Sequence, residues 1–178
     1  MLKSLIMFLM LGSLLFATDY KKAYFAGGCF WGVEYHLEKI DGVQEVVSGF
    51  MGGHVDNPSY RDVVYKNTGH VETVEVTYDP SKVSYETLAK NFFEIHDFTQ
   101  TNGQGPDIGS QYLSVLFYSD EAEKKVGEKL IEILEVKGFK VATKIKKSSR
   151  FYAAEGYHQD YYECHGKVPY CHSYSKIF

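Results

Sequence analysis

Strand-like and helix-like segments alternate along the chain from Lys22 to Ile145, and their order limits the folds the chain can adopt. Apolar residues at every second position indicate strands, and apolar residues three or four apart indicate helices. The predicted strands cover residues 22–27, 43–51, 71–78, 111–118 and 140–145, and the predicted helices cover residues 30–39, 84–96, 120–138 and 154–163. This order predicts an α+β two-layer sandwich with mixed or antiparallel strand pairing.

Local signals place two of the helix starts and one long loop. Ser84 is a good N-cap, and Asp120 with Glu123 resembles a capping box. Residues 97–110 are rich in glycine and polar side chains and have no periodicity. Because loops of this length inside compact domains are often functional, we expect this loop to contribute to a site.

Composition indicates a single globular domain over residues 22–178. The chain has 178 residues, of which 44% are hydrophobic and 24% charged, enough to bury one core. The formal net charge of -4 gives no electrostatic basis for binding nucleic acid.

The first residues have the pattern of a signal peptide. Lys3 precedes an apolar run from Leu5 to Phe16, which is short for a transmembrane helix of about 20 residues. We therefore expect a signal peptide over residues 1–17, cleavage near residues 17–21, and export to the periplasm; an uncleaved membrane anchor is the alternative. Lipidation at Cys29 is disfavoured, because charged residues and a predicted strand separate it from the apolar run.

Cys29 lies where a predicted strand ends and a predicted helix begins, in the run Gly27-Gly28-Cys29-Phe30-Trp31-Gly32. Free amides and the macrodipole at a helix N-terminus favour negative charge, so we expect this thiol to ionise easily. A thiolate is the nucleophilic form. The alternative is a buried cysteine that acts as a small apolar residue.

The segment around Cys29 resembles the peptide methionine sulfoxide reductase A family, whose members carry Gly-Cys-Phe-Trp around the nucleophile. Five further segments match in the family's order: residues 48–53, 58–60, 68–72, 105–112 and 154–161. The resemblance covers nearly everything after Lys21. It implies a ferredoxin-like mixed-sheet core with a long irregular C-terminal region. It also implies repair of oxidative damage by thiol-dependent reduction of methionine S-sulfoxide, in proteins or as the free amino acid.

Glu72 is the expected acid. It shares strand parity with Val74, Val76 and Tyr78, so its carboxyl should face the apolar side, where burial raises a pKa. A strand-end glutamate that reaches solvent is the alternative. The resemblance identifies Glu72 with the family's proton donor, as a sulfoxide needs protonation while the Cys29 thiolate attacks.

The resemblance also implies the residues that bind the substrate. Tyr60 and Tyr112 match positions that hold the sulfoxide oxygen, and Phe30 and Trp31 match an apolar pocket for the methyl group. Asp107 matches a site aspartate that positions a polar group. No cofactor and no metal is implied.

The resemblance further implies that Cys171 is the resolving thiol, which forms an intramolecular disulfide with Cys29 after a sulfenic acid has formed. We expect a flexible tail to bring Cys171 to Cys29, and a thioredoxin or thioredoxin-like protein to reduce the disulfide. Cys164 fits a helix-end residue, a spare thiol or a relay.

Three other interpretations remain open from the residues. Cys164, His165, Cys171 and His172 could bind zinc, although their spacing matches no common zinc framework. Cys29 with His158 could form a cysteine hydrolase. A binding domain with a Cys164–Cys171 disulfide is the third.

Overall fold

A mixed β-sheet with helices packed against it forms the fold. The structure, a computed structural model, describes residues 19–178. The strands are β1 Lys21–Gly27, β2 Val43–Met51, β3 Val71–Tyr78, β4 Gly103–Gln104, β5 Asp107–Ile108, β6 Ser114–Tyr118, β7 Lys144–Lys147 and β8 Tyr152–Ala153. The helices are α1 Phe30–Leu37, α2 Tyr60–Tyr65, α3 Tyr85–Glu94, α4 Glu121–Val136 and α5 Tyr161–His165, and 3-10 turns occupy Ser110–Tyr112 and Gly156–His158.

The large sheet has a ferredoxin-like centre. Its strand order is β7-β6-β1-β3-β2-β8, and every neighbouring pair is antiparallel except β6 and β7. The path β1-α1-β2-β3-α3-β6, with β6 beside β1 and β3 beside β2, is the split βαβ arrangement. The predicted α+β sandwich with a mixed sheet is therefore confirmed, and the parallel pairing of β7 makes it mixed.

The main core lies between the sheet and the helix layer. Alternation along the strands directs Phe25 of β1 and Val74 of β3 toward Leu37 of α1 and Phe92 of α3. A smaller apolar cluster covers the opposite face of the sheet: it contains Ala26, Met51, Val71, Val115 and Phe117. The sheet thus buries apolar side chains on both faces around the start of β3.

The predicted helix caps are confirmed. The Ser84 hydroxyl accepts a hydrogen bond from the Thr87 amide at 3.1 Å, and the Asp120 carboxylate accepts one from the Glu123 amide at 2.9 Å. In a capping box the Glu123 carboxylate would accept a hydrogen bond from the amide of the N-cap residue Asp120. Here it accepts one from the amide of the preceding residue, Ser119.

Several predicted boundaries were wrong, because tertiary pairing decides them. β6 begins at Ser114, since the preceding residues form a 3-10 turn, and the parallel register of β7 with β6 shifts that strand to residues 144–147. The helix predicted over residues 154–163 is interrupted by Asp160, whose left-handed φ of 50° cannot continue a helix. Helix α2 and the β4–β5 hairpin within the long loop were not predicted.

The predicted signal peptide, residues 1–17, lies outside the described residues. Within residues 19–178, every helix is too short or too polar to cross a bilayer.

Candidate functional site

A cavity of about 210 Å³ opens at the N-terminus of α1 and collects nearly all the predicted site residues. It is lined by Cys29, Phe30, Trp31, Tyr60, Glu72, Asp107, Tyr112 and Tyr170. Cys171 lies against Cys29, and Tyr170 is a lining residue that the sequence analysis missed. Residues from separate parts of the chain therefore converge on one thiol.

Gly28 allows the backbone to carry Cys29 into this position. Gly28 has a left-handed φ of 96°, and a Cβ atom there would lie 2.3 Å from the Gln104 Cβ. Cys29 is the N-cap residue of α1, as predicted, and its side chain is buried. The turn thus aims the thiol into the cavity at the start of the helix.

The pKa of Cys29 departs from the sequence expectation. The hydrogen bond with the Cys171 thiol raises it most, followed by burial and the nearby Glu72 carboxyl. The Trp31 backbone amide lowers it, which is the helix contribution that the sequence predicted, but this effect is the smaller one. The expectation of an easily ionised thiol was therefore wrong for Cys29 taken alone.

Glu72 is buried on the helix side of β3, on the same face as Val74 and Val76. Burial raises the pKa of its carboxyl to about 8, although the Phe30 amide opposes the shift by donating to Oε2 at 3.0 Å. The predicted inward orientation is confirmed, and the solvent-reaching alternative is wrong. At neutral pH, Glu72 holds a proton inside the cavity.

Tyr60 and Tyr112 present phenol groups to the same cavity. Tyr60 begins α2, whose start is fixed by a capping box between Ser59 and Asp62, and Tyr112 acts on its hydroxyl inside the cavity. Burial raises the pKa of Tyr60 to about 12 and that of Tyr112 further. Both phenols therefore keep their O–H groups as hydrogen-bond donors.

Asp107 lies at the cavity rim and is held by Tyr170. The Tyr170 hydroxyl is 3.1 Å from Oδ1 and 3.2 Å from Oδ2 of Asp107, and it donates to this carboxylate. Asp107 belongs to the β4–β5 hairpin, whereas Tyr170 belongs to the irregular C-terminal segment. Their contact joins the tail to the loop beside Cys29.

Cys171 is buried against Cys29, and its own contacts lower its pKa to about 6. The Cys29 hydrogen bond contributes most, and a hydrogen bond from His172 adds to it, while burial opposes both. The Gln104 side-chain amide also donates to the Cys171 carbonyl at 3.3 Å. The two thiols share one ionisation, and the first negative charge rests on Cys171.

The tail is fixed around Cys171, contrary to the flexible approach that we expected. The Ser175 amide donates to the Glu94 carbonyl at 2.7 Å. The Glu94 carboxylate accepts hydrogen bonds from the amides of Ile177 and Phe178 at 2.8 and 3.0 Å. The structure thus holds Cys171 beside Cys29 without any movement of the tail.

A model of the peptide methionine sulfoxide reductase family matches residues 21–177. The chain belongs to this family. It is 45% identical to peptide methionine sulfoxide reductase MsrA of Natronomonas pharaonis over 160 residues, which cover 87% of this chain and 90% of that protein. It is 47% identical to MsrA of Nautilia profundicola over 150 residues, covering 84% of this chain and 87% of that protein.

Solved structures of the same family share the fold. Mxr1 of Saccharomyces cerevisiae in its reduced form superposes with a TM-score of 0.80 at 34% identity, covering 87% of this chain and 92% of Mxr1. Methionine sulfoxide reductase A of Corynebacterium diphtheriae gives a TM-score of 0.76 at 31% identity, covering 87% of this chain and 79% of that one. The resemblance inferred from the sequence motifs is confirmed.

His158, a possible hydrolase base from the sequence, packs behind aromatic residues that line the cavity. Trp31 stacks on Tyr161 with 3.6 Å between ring centroids, and its Nε1 donates to His158 Nδ1 at 3.2 Å. The His158 ring also packs against Tyr60 and Phe30. Within residues 19–178, the hydrogen bond of His158 goes to Trp31 and not to Cys29, so the geometry does not support a hydrolase dyad.

The remaining alternatives also lack the required geometry. Cys164 is exposed in α5, and Cys29, Cys164 and Cys171 are all free thiols. Among residues 19–178, the residues of the zinc hypothesis do not converge: the one group of three ligand-type side chains within reach of each other is Glu38, Asp160 and Glu163, outside this cavity. Cys164 is a residue of a short helix, as we expected.

Proposed function

We propose that this chain reduces methionine S-sulfoxide, in proteins and as the free amino acid, with Cys29 as the nucleophile and Glu72 as the proton donor. The observation that carries this proposal is the placement of a protonated buried carboxyl and a thiol in one cavity, with a second thiol in contact with the first. An attacking sulfur, a proton and a resolving sulfur are the groups that this reduction needs.

In the first step, the Cys29 sulfur bonds to the sulfoxide sulfur while Glu72 protonates the sulfoxide oxygen. The Cys29–Cys171 pair is already singly ionised at neutral pH, so moving the remaining proton from Cys29 to Cys171 exposes the nucleophile. The Tyr60 and Tyr112 hydroxyls donate hydrogen bonds to the oxygen as negative charge develops on it. The oxygen ends on Cys29 as a sulfenic acid, and methionine leaves reduced by two electrons.

The aromatic wall selects the substrate. Phe30 and Trp31 present ring surfaces that can bury the methyl group of the sulfoxide, and the stacking of Trp31 on Tyr161 fixes its orientation. With the oxygen directed to the tyrosines and the methyl group to these rings, a single epimer places its sulfur before Cys29. Asp107 and Tyr170 add a hydrogen-bonded polar pair to the lining of the same cavity.

In the second step, Cys171 attacks the Cys29 sulfenic acid and a disulfide forms with loss of water. A dithiol protein of the thioredoxin type then returns both cysteines to thiols by exchange. The yeast relative Mxr1 has been solved in complex with Trx2. For this chain the thioredoxin-like reductant is part of the proposal.

Counting thiols tests the function. When reduced protein is mixed with methionine sulfoxide and no reductant, two of the three free thiols should disappear as one methionine forms per chain, leaving Cys164 free. Cys29→Ser should form no methionine and keep its remaining thiols. Turnover of substrate with all thiols retained would instead support hydrolysis and contradict the proposal.

We also propose that the chain is exported to the periplasm and that its signal peptide is removed. The support is the sequence pattern of Lys3 followed by the apolar run from Leu5 to Phe16. Edman or mass-spectrometric analysis of protein from the native cell envelope should find a first residue between Thr18 and Lys22. Soluble protein from the cytoplasm with Met1 intact would contradict export.

A further inference from the structure

The ring of His172 fills a slot between the active-site turn and Cys171. The ring is buried, its Nδ1 lies 3.1 Å from the Cys171 Sγ, and its Nε2 lies 2.7 Å from the Gly27 carbonyl oxygen. Gly32 provides the space, because a Cβ atom at that position would lie 2.1 Å from Nδ1. The first turn of α1 is therefore shaped to receive this ring.

The two contacts determine which nitrogen of His172 carries hydrogen. A backbone carbonyl can only accept a hydrogen bond, so Nε2 must be the donor to Gly27. In the neutral ring, Nδ1 then has a free lone pair, and this lone pair faces the Cys171 thiol. The thiol donates to Nδ1, or the protonated ring donates to the thiolate after the proton has moved.

We propose that His172 is a further catalytic residue, the base that takes the proton of Cys171 as its sulfur attacks the Cys29 sulfenic acid. This inference rests on the proposed function and assigns a residue to its second step. The Cys171 S–H bond breaks, the S–S bond forms and the Cys29 S–O bond breaks. Cys171 is oxidised and Cys29 is reduced, and the proton held at Nδ1 passes to the departing hydroxide, which leaves as water.

Oxidation of Cys29 makes His172 necessary. In the reduced protein, hydrogen bonds from both Cys29 and His172 stabilise negative charge on Cys171. Once Cys29 is a sulfenic acid, its sulfur carries no hydrogen, and that S–H donor is lost. His172 then remains in contact with Cys171 as the partner that can accept its proton.

The titratable groups around this ring do not compete for the proton. His36 of α1 and His96 after α3 lie near His172, and burial lowers the pKa of both, that of His96 to about 3. Asp107 acts on Cys171 with a charge that disfavours the thiolate. A lowered pKa makes each of these histidines a weaker base than an ordinary imidazole. Both ring nitrogens of His96 also already have partners, the Phe92 carbonyl and the Ser114 hydroxyl.

Single-turnover kinetics of His172→Gln test this role. The glutamine amide can still donate to the Gly27 carbonyl, but it cannot accept a proton from the Cys171 thiol. Reduced protein is mixed with methionine sulfoxide and quenched, and methionine and disulfide are measured separately. His165→Gln is the matched control, because it makes the same change at an exposed histidine whose Nδ1 contacts the Tyr161 carbonyl.

We expect disulfide formation in His172→Gln at pH 7 to slow by roughly 10²- to 10⁴-fold, the range for loss of a general base. Methionine formation should slow far less, because the first step loses only the contribution of His172 to the acidity of Cys171. The slow rate of disulfide formation should rise about tenfold per pH unit, because Cys171 must then ionise without help. His165→Gln should match wild type in both steps. Disulfide formation in His172→Gln at the wild-type rate, with an unchanged pH profile, would overturn the role of His172.

A second measurement uses only the wild-type protein, so it remains informative even if the His172→Gln variant does not fold. Nitrogen NMR of the His172 ring in the reduced wild-type protein should show hydrogen on Nε2 throughout, with Nδ1 bare or carrying the Cys171 proton. A ring protonated at Nδ1 and bare at Nε2 would overturn the inference. Failure of wild type to form methionine would instead reject the proposed function.

Discussion

Glu72→Gln should slow methionine sulfoxide reduction by roughly 10²- to 10⁴-fold, because the amide cannot deliver a proton to the sulfoxide oxygen. Glutamine is close in size to glutamate and can still accept the Phe30 amide hydrogen bond, so the fold should stay intact. The rate of methionine formation in a single turnover measures the effect without involving the reductant.

The pH profile gives an independent test of the same carboxyl. In the proposed mechanism the acid form of Glu72 is the active one. Because the pKa of Glu72 is raised to about 8, the wild-type rate should fall as pH rises through that value. The glutamine variant should lack this decline. Glu75→Gln is the matched control, since Glu75 lies on the same strand but pairs with Lys22 away from the cavity. A wild-type rate in Glu72→Gln would mean that the proton comes from another group.

Cys171→Ser should abolish cycling with a thioredoxin-like reductant while still forming one equivalent of methionine per chain. In the proposed first step the sulfoxide is reduced at the sulfur of Cys29 and no disulfide forms, whereas a thioredoxin needs a disulfide to attack. A small thiol such as dithiothreitol should partly restore turnover by attacking the sulfenic acid directly. Methionine released per chain, with and without each reductant, measures both effects.

Cys164→Ser is the matched control for Cys171→Ser. Cys164 is exposed in α5, whereas Cys171 is buried against Cys29, so the control should cycle nearly as wild type does. Loss of cycling in Cys164→Ser alone would make Cys164 the resolving thiol. Loss in both variants would indicate a relay from Cys29 through Cys171 to Cys164.

Local sequence signals were sufficient for the parts of the site that depend on one element. The strand parity of Glu72 predicts its orientation because successive side chains of a strand face opposite sides. The strand-to-helix transition at Cys29 was predictable because glycines permit the tight turn and the apolar spacing of α1 follows at once. The alternation of elements predicts the two-layer sandwich, but the ferredoxin-like core was implied by the family resemblance, because local propensity does not fix a topology.

Contacts between distant segments were not predictable in this way. Tyr170 lies in a segment without periodicity, and only the folded chain brings it to Asp107. His158 depends on Trp31 for its position, and His172 depends on a slot left by Gly32. Helix α2 did carry a local signal, because Ser59 and Asp62 have capping-box spacing, and a systematic search for that pattern would have found it.

The upward shift of the Cys29 pKa shows why an argument from local sequence can fail for an ionisable group. The helix N-terminus acts as expected through the Trp31 amide, but Cys171 and burial act more strongly in the opposite direction. The strongest effect comes from Cys171, which the folded tail brings to the thiol. A thiol's acidity is set by all the groups around it, including those more than a hundred residues away in sequence.

The anchoring of the C-terminal segment by Glu94 has a consequence for damage by excess oxidant. A sulfenic acid that waits for a mobile partner can be oxidised again to sulfinic acid, which thiols do not reverse. Here the backbone amides of Ile177 and Phe178 donate to the Glu94 carboxylate, and the Gln104 side-chain amide donates to the Cys171 carbonyl. These contacts hold the second thiol at high effective concentration. If Cys171 resolves the sulfenic acid as proposed, we expect the anchored segment also to shorten the exposure of Cys29 to irreversible oxidation.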